Sequence, residues 1–231
     1  MARNFGTGGT DDRVLMTNAA RLYPFSHKHT FAGWCYRVQD PVNTWRFAQE
    51  SDNATTARWY LGCNNNGGQG APGFRLYLFS AGVYKRSWTW AWPPINTWHH
   101  IAFTHDTAVV GTRPIVYQNG VVQTLGEYDN WDAAVATSDA SIRLGGSVGA
   151  GSGWPGKGQN MAYWNDILSP DEIQALYKGV SPHRIRTGKL QWHYPCFQTA
   201  EEGDWAGGRA GERFGTTVEP APVPSGPMLI V

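Results

Sequence analysis

Ile115-Val116-Tyr117-Gln118-Asn119-Gly120-Val121-Val122 is the stretch on which the fold turns. Two β-branched, apolar runs flank Asn119-Gly120, the pair best able to take positive φ at both central positions of a type I′ turn, so the stretch predicts a two-residue β-hairpin. Outward from it, between about residue 10 and residue 166, short runs rich in aromatic and β-branched residues recur with Gly, Pro, Asn or Asp between them. Candidate strands cover 30–36, 44–49, 58–61, 74–79, 83–90, 98–104 and 114–118. Within one of them Phe74, Leu76 and Leu78 share a face, because strand side chains alternate with period two, and that face is expected to enter the core. The pattern is that of a β-sandwich.

Composition agrees. The 231 residues include 28 Gly and 14 Pro, 13% are aromatic and only 16% are charged, a mixture that favours strands and turns over helices. Nineteen Lys and Arg against 18 Asp and Glu leave a net charge of +1, too little to hold a polyanion, so nucleic acid is not an expected partner. No apolar run approaches membrane-spanning length, and Met1 to Arg13 lacks the apolar stretch of a secretory signal, so neither membrane insertion nor secretion is expected. Cys35, Cys63 and Cys196 are odd in number with no C-x-x-C pair, which predicts buried thiols. Asn53-Ala54-Thr55 is read as loop chemistry.

One helix is legible. Ser169-Pro170-Asp171-Glu172-Ile173 sets Ser169 as N-cap, Pro170 at the first helical position and Glu172 reaching back in a capping box, with Gly179 closing the segment. Ile173, Leu176 and Tyr177 then share a face that packs on a sheet. After Pro182 the strand pattern thins. Pro220, Pro222, Pro224 and Pro227 stiffen a tail ending in Met228-Leu229-Ile230-Val231, four apolar residues expected to dock as an arm on the chain's own domain or on a neighbour. The division expected is 1–180 for the sandwich and 181–231 for a Gly- and Pro-rich extension.

Several motifs suggest chemistry that their surroundings do not support. Glu127, Asp129 and Asp132 echo the alternating carboxylates of a glycosidase, but Asp132 is shorter than the Glu expected there and the stretch reads as a polar connection after the hairpin. Gly145-Gly146-Ser147-Val148-Gly149 fits a hydrolase elbow without the helix that must follow, and Gly151 to Lys157 has phosphate-loop spacing but Gly158 where Ser or Thr is needed. His99 and His100 point to opposite faces of a strand and are not expected to share a metal; one is read as core-facing or strand-capping and the other as exposed. No catalytic residue is assigned. Trp88, Trp90 and Trp92 lie on one face until Pro93, as candidate glycan-stacking or interface aromatics, with the core or a subunit interface the favoured use.

Five stretches together carry a family resemblance: 5–14; His29-Thr30-Phe31-Ala32-Gly33-Trp34; Trp98-His99-His100-Ile101-Ala102-Phe103 with Tyr117-Gln118-Asn119-Gly120; Ile142-Arg143-Leu144-Gly145-Gly146; and 162–169 leading into the helix. In order and spacing they resemble the laminin-G-like branch of the concanavalin A-like lectin and glucanase jelly rolls, of the kind found in tailed-bacteriophage virion proteins. The resemblance implies an all-β, two-sheet antiparallel jelly roll with one short helix and an extended C-terminal arm. It also implies a non-enzymatic virion structural or accessory protein, made in the host cytoplasm, whose partners are other virion subunits, a capsid or tail protein, or further copies of itself. The competing expectation is a soluble carbohydrate-binding lectin module with a loop-bound Ca²⁺ as its one conceivable cofactor.

Overall fold

The computed structural model describes residues 2–7, 13–16, 27–40, 45–50, 59–64, 73–80, 83–108, 112–130, 142–146, 153–196, 202–203, 210–214 and 217–219. They form two antiparallel sheets packed face to face. Strands are numbered in chain order. The eight-stranded sheet runs from β10 (Val121–Val122) through β9 (Ile115–Gln118), β8 (Trp98–Asp106), β3 (Lys28–Arg37) and β13 (Pro155–Trp164) to β1 (Ala2–Thr7) and β17 (Thr217–Glu219). β14 (Leu190–Tyr194) pairs with the second half of β13, continuing the line that β1 occupies along its first half. The nine-stranded sheet runs β11 (Gly126–Asn130), β7 (Val83–Trp90), β6 (Gly73–Ser80), β5 (Trp59–Asn64), β4 (Trp45–Glu50), β12 (Ile142–Leu144), β2 (Arg13–Met16), β16 (Ala210–Phe214) and β15 (Glu202–Gly203).

The inward faces are aromatic. Phe31, Phe103, Tyr163 and Trp192 of the eight-stranded sheet meet Phe47, Trp59, Leu61, Phe74, Leu76 and Trp88 of the other, all at 5% exposure or less. Phe74, Leu76 and Leu78 are among them, as their alternation requires. Cys35, Cys63 and Cys196 are buried in the same layer, and burial pushes Cys35 far above the ordinary thiol range and Cys63 up to about 12.

The hairpin is as read: Asn119 and Gly120 have φ of 53° and 77°. Here glycine is required, because a Cβ at 120 would also strike the Gln174 amide and the Tyr177 ring. The helix α1 (Pro170–Tyr177) has its capping box, with the Glu172 N–H donating to Ser169 Oγ at 3.3 Å and the Ser169 N–H donating to Glu172 Oε2 at 2.7 Å. It ends in a Schellman turn, in which Val180 N–H donates to Ala175 O and Gly179 N–H to Leu176 O. Ile173 and Leu176 seat α1 on the outer face of the eight-stranded sheet against Ala32, Ala102, Tyr117 and Trp164, each contributing about 1.5–3 kcal/mol. Arg186 ties α1 down by bonding both Glu172 at 2.7 Å and Asp166 at 2.8 Å.

Beyond residue 181 the chain rejoins the sandwich. β14, β16 and β17 pair with β13, β2 and β1, so residues 190–219 supply strands to both sheets. The thinning of the strand pattern reflects strands of only two to five residues with Gly and Pro between them. The tail Met228-Leu229-Ile230-Val231 lies outside the described residues.

Candidate functional site

Outer sheet faces carry whatever a sandwich offers to a ligand, and the two faces here differ. On the nine-stranded sheet, register places Arg143, Gln49, Tyr60, Tyr77 and Ser87 in one transverse row, and Arg46, Gly62, Arg75 and Thr89 in the next. Tyr60 and Tyr77 stack with centroids 4.0 Å apart, the Arg46 guanidinium lies 4.7 Å from the Tyr60 centroid, and Arg75 donates a 2.7 Å hydrogen bond to the Tyr77 hydroxyl. Burial, and next the neighbouring Tyr77, hold the Tyr60 phenol well above its usual range. Arg75 is 0% exposed and Tyr77 1%, so this belt is a second packed layer, closed to solvent except at the half-buried Arg46 and Thr89.

The eight-stranded sheet is open beside α1. Lys157, Tyr36 and Trp98 form one row across β13, β3 and β8, and Gln159, Trp34 and His100 form the next. The first row is half-exposed. Tyr36 and Trp98 lie 5.5 Å apart with planes inclined at 52°, a shallow V, and Lys157 Nζ is 5.6 Å from the Tyr36 centroid. The second row is the back of the shelf: Trp34 packs between His100 at 5.3 Å and Tyr177 of α1 at 5.9 Å. Two polar atoms there, Gln159 Oε1 and His100 Nδ1, are buried and find no hydrogen-bond partner. Burial depresses His100 to about 3, so its imidazole is neutral at ordinary pH.

The shelf is held from beneath. Arg37, adjacent to Tyr36 and turned to the opposite face, donates to Pro93 O at 2.7 Å, and the Asn96 N–H donates to Arg37 O at 2.7 Å, fixing the turn that delivers Trp98. Asn119 Oδ1 accepts the His100 N–H at 2.9 Å, pinning the same end of β8 from the hairpin side. Aromatic faces, one cation and unmet polar atoms suit a ligand with both apolar faces and hydroxyls.

The residues singled out from sequence lie elsewhere. Trp88 is 0% exposed and Trp90 5%, both in the inner layer, while Trp92 packs against that layer at its margin with Arg37 5.0 Å from its ring. A ligand cannot stack on the two buried indoles. Glu127 sits on the edge strand β11, not in a polar connection, and is tied to Arg113 at 2.5 Å; its register partner is Trp88. Nothing is described of the Asp129 side chain, and Asp132, the Asn53 sequon and residues 147–152 lie outside the described residues. His99 and His100 do face opposite ways, yet neither is exposed, at 5% and 2%, because the expected open face at His100 is roofed by Trp34 and Tyr177. Among the described residues no three His, Cys, Asp or Glu side chains converge on a metal position.

The sequence signal for the shelf was present but divided. Trp34 and Tyr36 alternate on one strand and Trp98 and His100 on another, and only the register of β3 with β8 joins them.

Comparison places this architecture among known ones. The laminin-G-type model of the concanavalin A-like lectin/glucanases superfamily matches residues 8–174. No curated protein sequence matches the chain. A solved protein from Bacteroides ovatus, described as carbohydrate-binding, superposes with a TM-score of 0.64 at 14% identity; the match covers 96% of this chain but only 61% of that one. The heptameric SAP-like pentraxin of Limulus polyphemus gives 0.57 at 11% identity, with 94% of each chain covered. The CBM40 of the Ruminococcus gnavus IT-sialidase, bound to α2,3-sialyllactose, gives 0.53 at 13% identity, covering 72% of this chain and 94% of that module. At these identities the likeness is one of fold.

Proposed function

The chain belongs to the concanavalin A-like lectin/glucanase superfamily, and from that premise we propose that it is a carbohydrate-binding module that holds a glycan on the Tyr36–Trp98–Lys157 shelf without cleaving it. The half-exposed Tyr36–Trp98 pair carries the reading: a pyranose ring offers axial C–H bonds to an aromatic face, and the inclined rings provide two such faces beside a cation. Hydroxyls of the same ring would hydrogen-bond to the Lys157 ammonium at the front of the shelf. A solved module of like fold bound to sialyllactose supports the class. Glycoside hydrolysis needs a pair of free carboxyl groups, and the two that stand together at α1, Asp166 and Glu172, both close on Arg186 instead. The proposal includes no loop-bound Ca²⁺.

A role in a virion follows from the resemblance alone; no relative and no described contact supports it, and the carbohydrate reading takes its place. A glycan array followed by titration calorimetry of the best glycan tests the proposal. The expected outcome is binding that Tyr36→Ala with Trp98→Ala weakens by about 100-fold, since stacking residues at the centre of a site contribute about 2 kcal/mol or more. Unchanged affinity in the doubly substituted protein, or no binding by any glycan, rejects it.

A further inference from the structure

We propose that the shelf has a second, covered sugar subsite on Trp34, and that Tyr177 of α1 is the cover that decides whether a glycan reaches it. The inference rests on the carbohydrate reading of the Tyr36–Trp98 shelf and extends it by one sugar. Trp34 and Tyr36 stand two residues apart on the outer face of β3, about 7 Å along the strand, a distance that two linked sugar rings cover. Trp34 thus continues the aromatic floor that Tyr36 and Trp98 begin, yet it is only 9% exposed. A ring hides it. Tyr177 lies over Trp34 with centroids 5.9 Å apart and planes inclined at 30°, the placement a stacked pyranose would take, and reaches His100 at 6.2 Å.

The neighbours of Trp34 are those of a ligand site. Gln159 on β13 and His100 on β8 flank it in register, 8% and 2% exposed, and Gln159 Oε1 and His100 Nδ1 are both buried without a hydrogen bond. Polar atoms left in that state are costly and rare. Where α1 merely packs on the same sheet, it rests on Ala32, Ala102 and Ala162, which ask for no partner. An aromatic floor between two unmet polar atoms suits a sugar instead: the ring's C–H face meets the indole, and its hydroxyls meet the polar atoms on either side.

The cover is built to move without the helix. Tyr177 is the last residue of α1 and half-buried, whereas Ile173 and Leu176, at 0% and 4% exposure, seat the helix on the sheet. Long side chains in a helix have two favoured χ1 settings, so one rotation takes the ring off Trp34 while the backbone stays in place. A glycan one sugar long is held by Tyr36 and Trp98 and leaves the cover shut; a second sugar has to displace it.

Tyr177→Ala removes the cover and Tyr177→Trp enlarges it, and both keep the residues that seat α1. The probes are the best glycan from the array trimmed to one and to two sugars. Titration calorimetry should show the two-sugar ligand bound about tenfold more tightly by Tyr177→Ala and about tenfold more weakly by Tyr177→Trp than by the parent chain, the worth of one ring contact, with the one-sugar ligand unchanged within about twofold. In Tyr177→Ala the indole N–H resonance of Trp34, assigned by its absence from a Trp34→Phe spectrum, should shift with the two-sugar ligand. Equal affinities of the three proteins for that ligand, with Tyr36→Ala plus Trp98→Ala still weakening it, overturn the covered subsite and leave the shelf standing. Binding that survives those two changes and still follows Tyr177 rejects the shelf and keeps the subsite, and no binding of any glycan rejects both.

Discussion

The Arg75 guanidinium donates a 2.7 Å hydrogen bond to the hydroxyl of Tyr77, two residues along the same face of β6, with both side chains buried. Tyr77 is thus both a stacking partner for Tyr60 and an acceptor for a buried cation. Tyr77→Phe keeps the ring and removes the acceptor, and should lower unfolding free energy by about 1–3 kcal/mol. Tyr77→Ala also empties the stack and should cost about 3–5 kcal/mol. Urea denaturation of the three proteins gives the ranking; equal midpoints for Tyr77→Phe and the parent chain would show that the hydroxyl bears no load.

Three buried imidazoles make the fold acid-sensitive. Burial is the leading cause in each case, lowering His105 to about 4 and His100 and His193 to about 3. In the unfolded chain these groups protonate near 6.5, so below that pH the unfolded state binds more protons than the folded one and stability rises with pH. Their contribution is therefore complete above about pH 6.5 and is lost as pH falls from there towards 4 and 3, by up to about 1.4 kcal/mol per pH unit for each histidine. Chemical denaturation at pH 7, 5.5 and 4.5 should show a steepening loss, and His105→Phe should flatten part of it. A pH-independent midpoint over that range contradicts the burial of these rings.

Gly120 should not tolerate alanine. Positive φ and the crowding at Gln174 and Tyr177 act together, so Gly120→Ala should cost about 1–3 kcal/mol and loosen α1 as well as the hairpin. Amide exchange reads this directly: faster exchange in both the β9–β10 hairpin and α1 is expected, whereas a change confined to the hairpin would deny that the two are coupled.

At the helix start the cap should outweigh the ion pairs. Ser169→Ala removes an N-cap acceptor and should cost about 1 kcal/mol, while Arg186→Ala, at a partly exposed site, should cost no more than about 1 kcal/mol and less at high salt. Thermal melts at low and high salt check both; a salt-sensitive Ser169→Ala effect would assign the cap's contribution to charge.

Strand alternation, the Asn119-Gly120 turn and the capping box are local signals, fixed within eight residues or fewer, and each was legible in the sequence. What was not legible depended on register. That Trp98 stands beside Tyr36 follows from the β3–β8 ladder across a separation of 62 positions, and no periodicity encodes it. Tryptophans 88, 90 and 92 showed the right spacing for a platform, but spacing cannot say which side of a sheet meets the other sheet. His100 illustrates the reverse: a polar residue on an outer face reads as solvated until a helix from 70 residues later is laid over it. The β14, β16 and β17 strands escaped notice because their stability is borrowed from preformed neighbours, so their own sequences need little β preference.

β1 and β17 lie side by side, antiparallel, with Ala2 opposite Glu219 and Arg3 opposite Val218. Tension applied between Ala2 and Glu219 therefore acts across this ladder, perpendicular to the strands, and opens its bonds one after another like a zipper instead of shearing them all at once. The next ladder on each side, β1 with β13 and β16 with β2, is then loaded in turn. Mechanically the sandwich is a buckle that releases from the seam where its first and last described strands meet, while the aromatic layer between the sheets is left for the end.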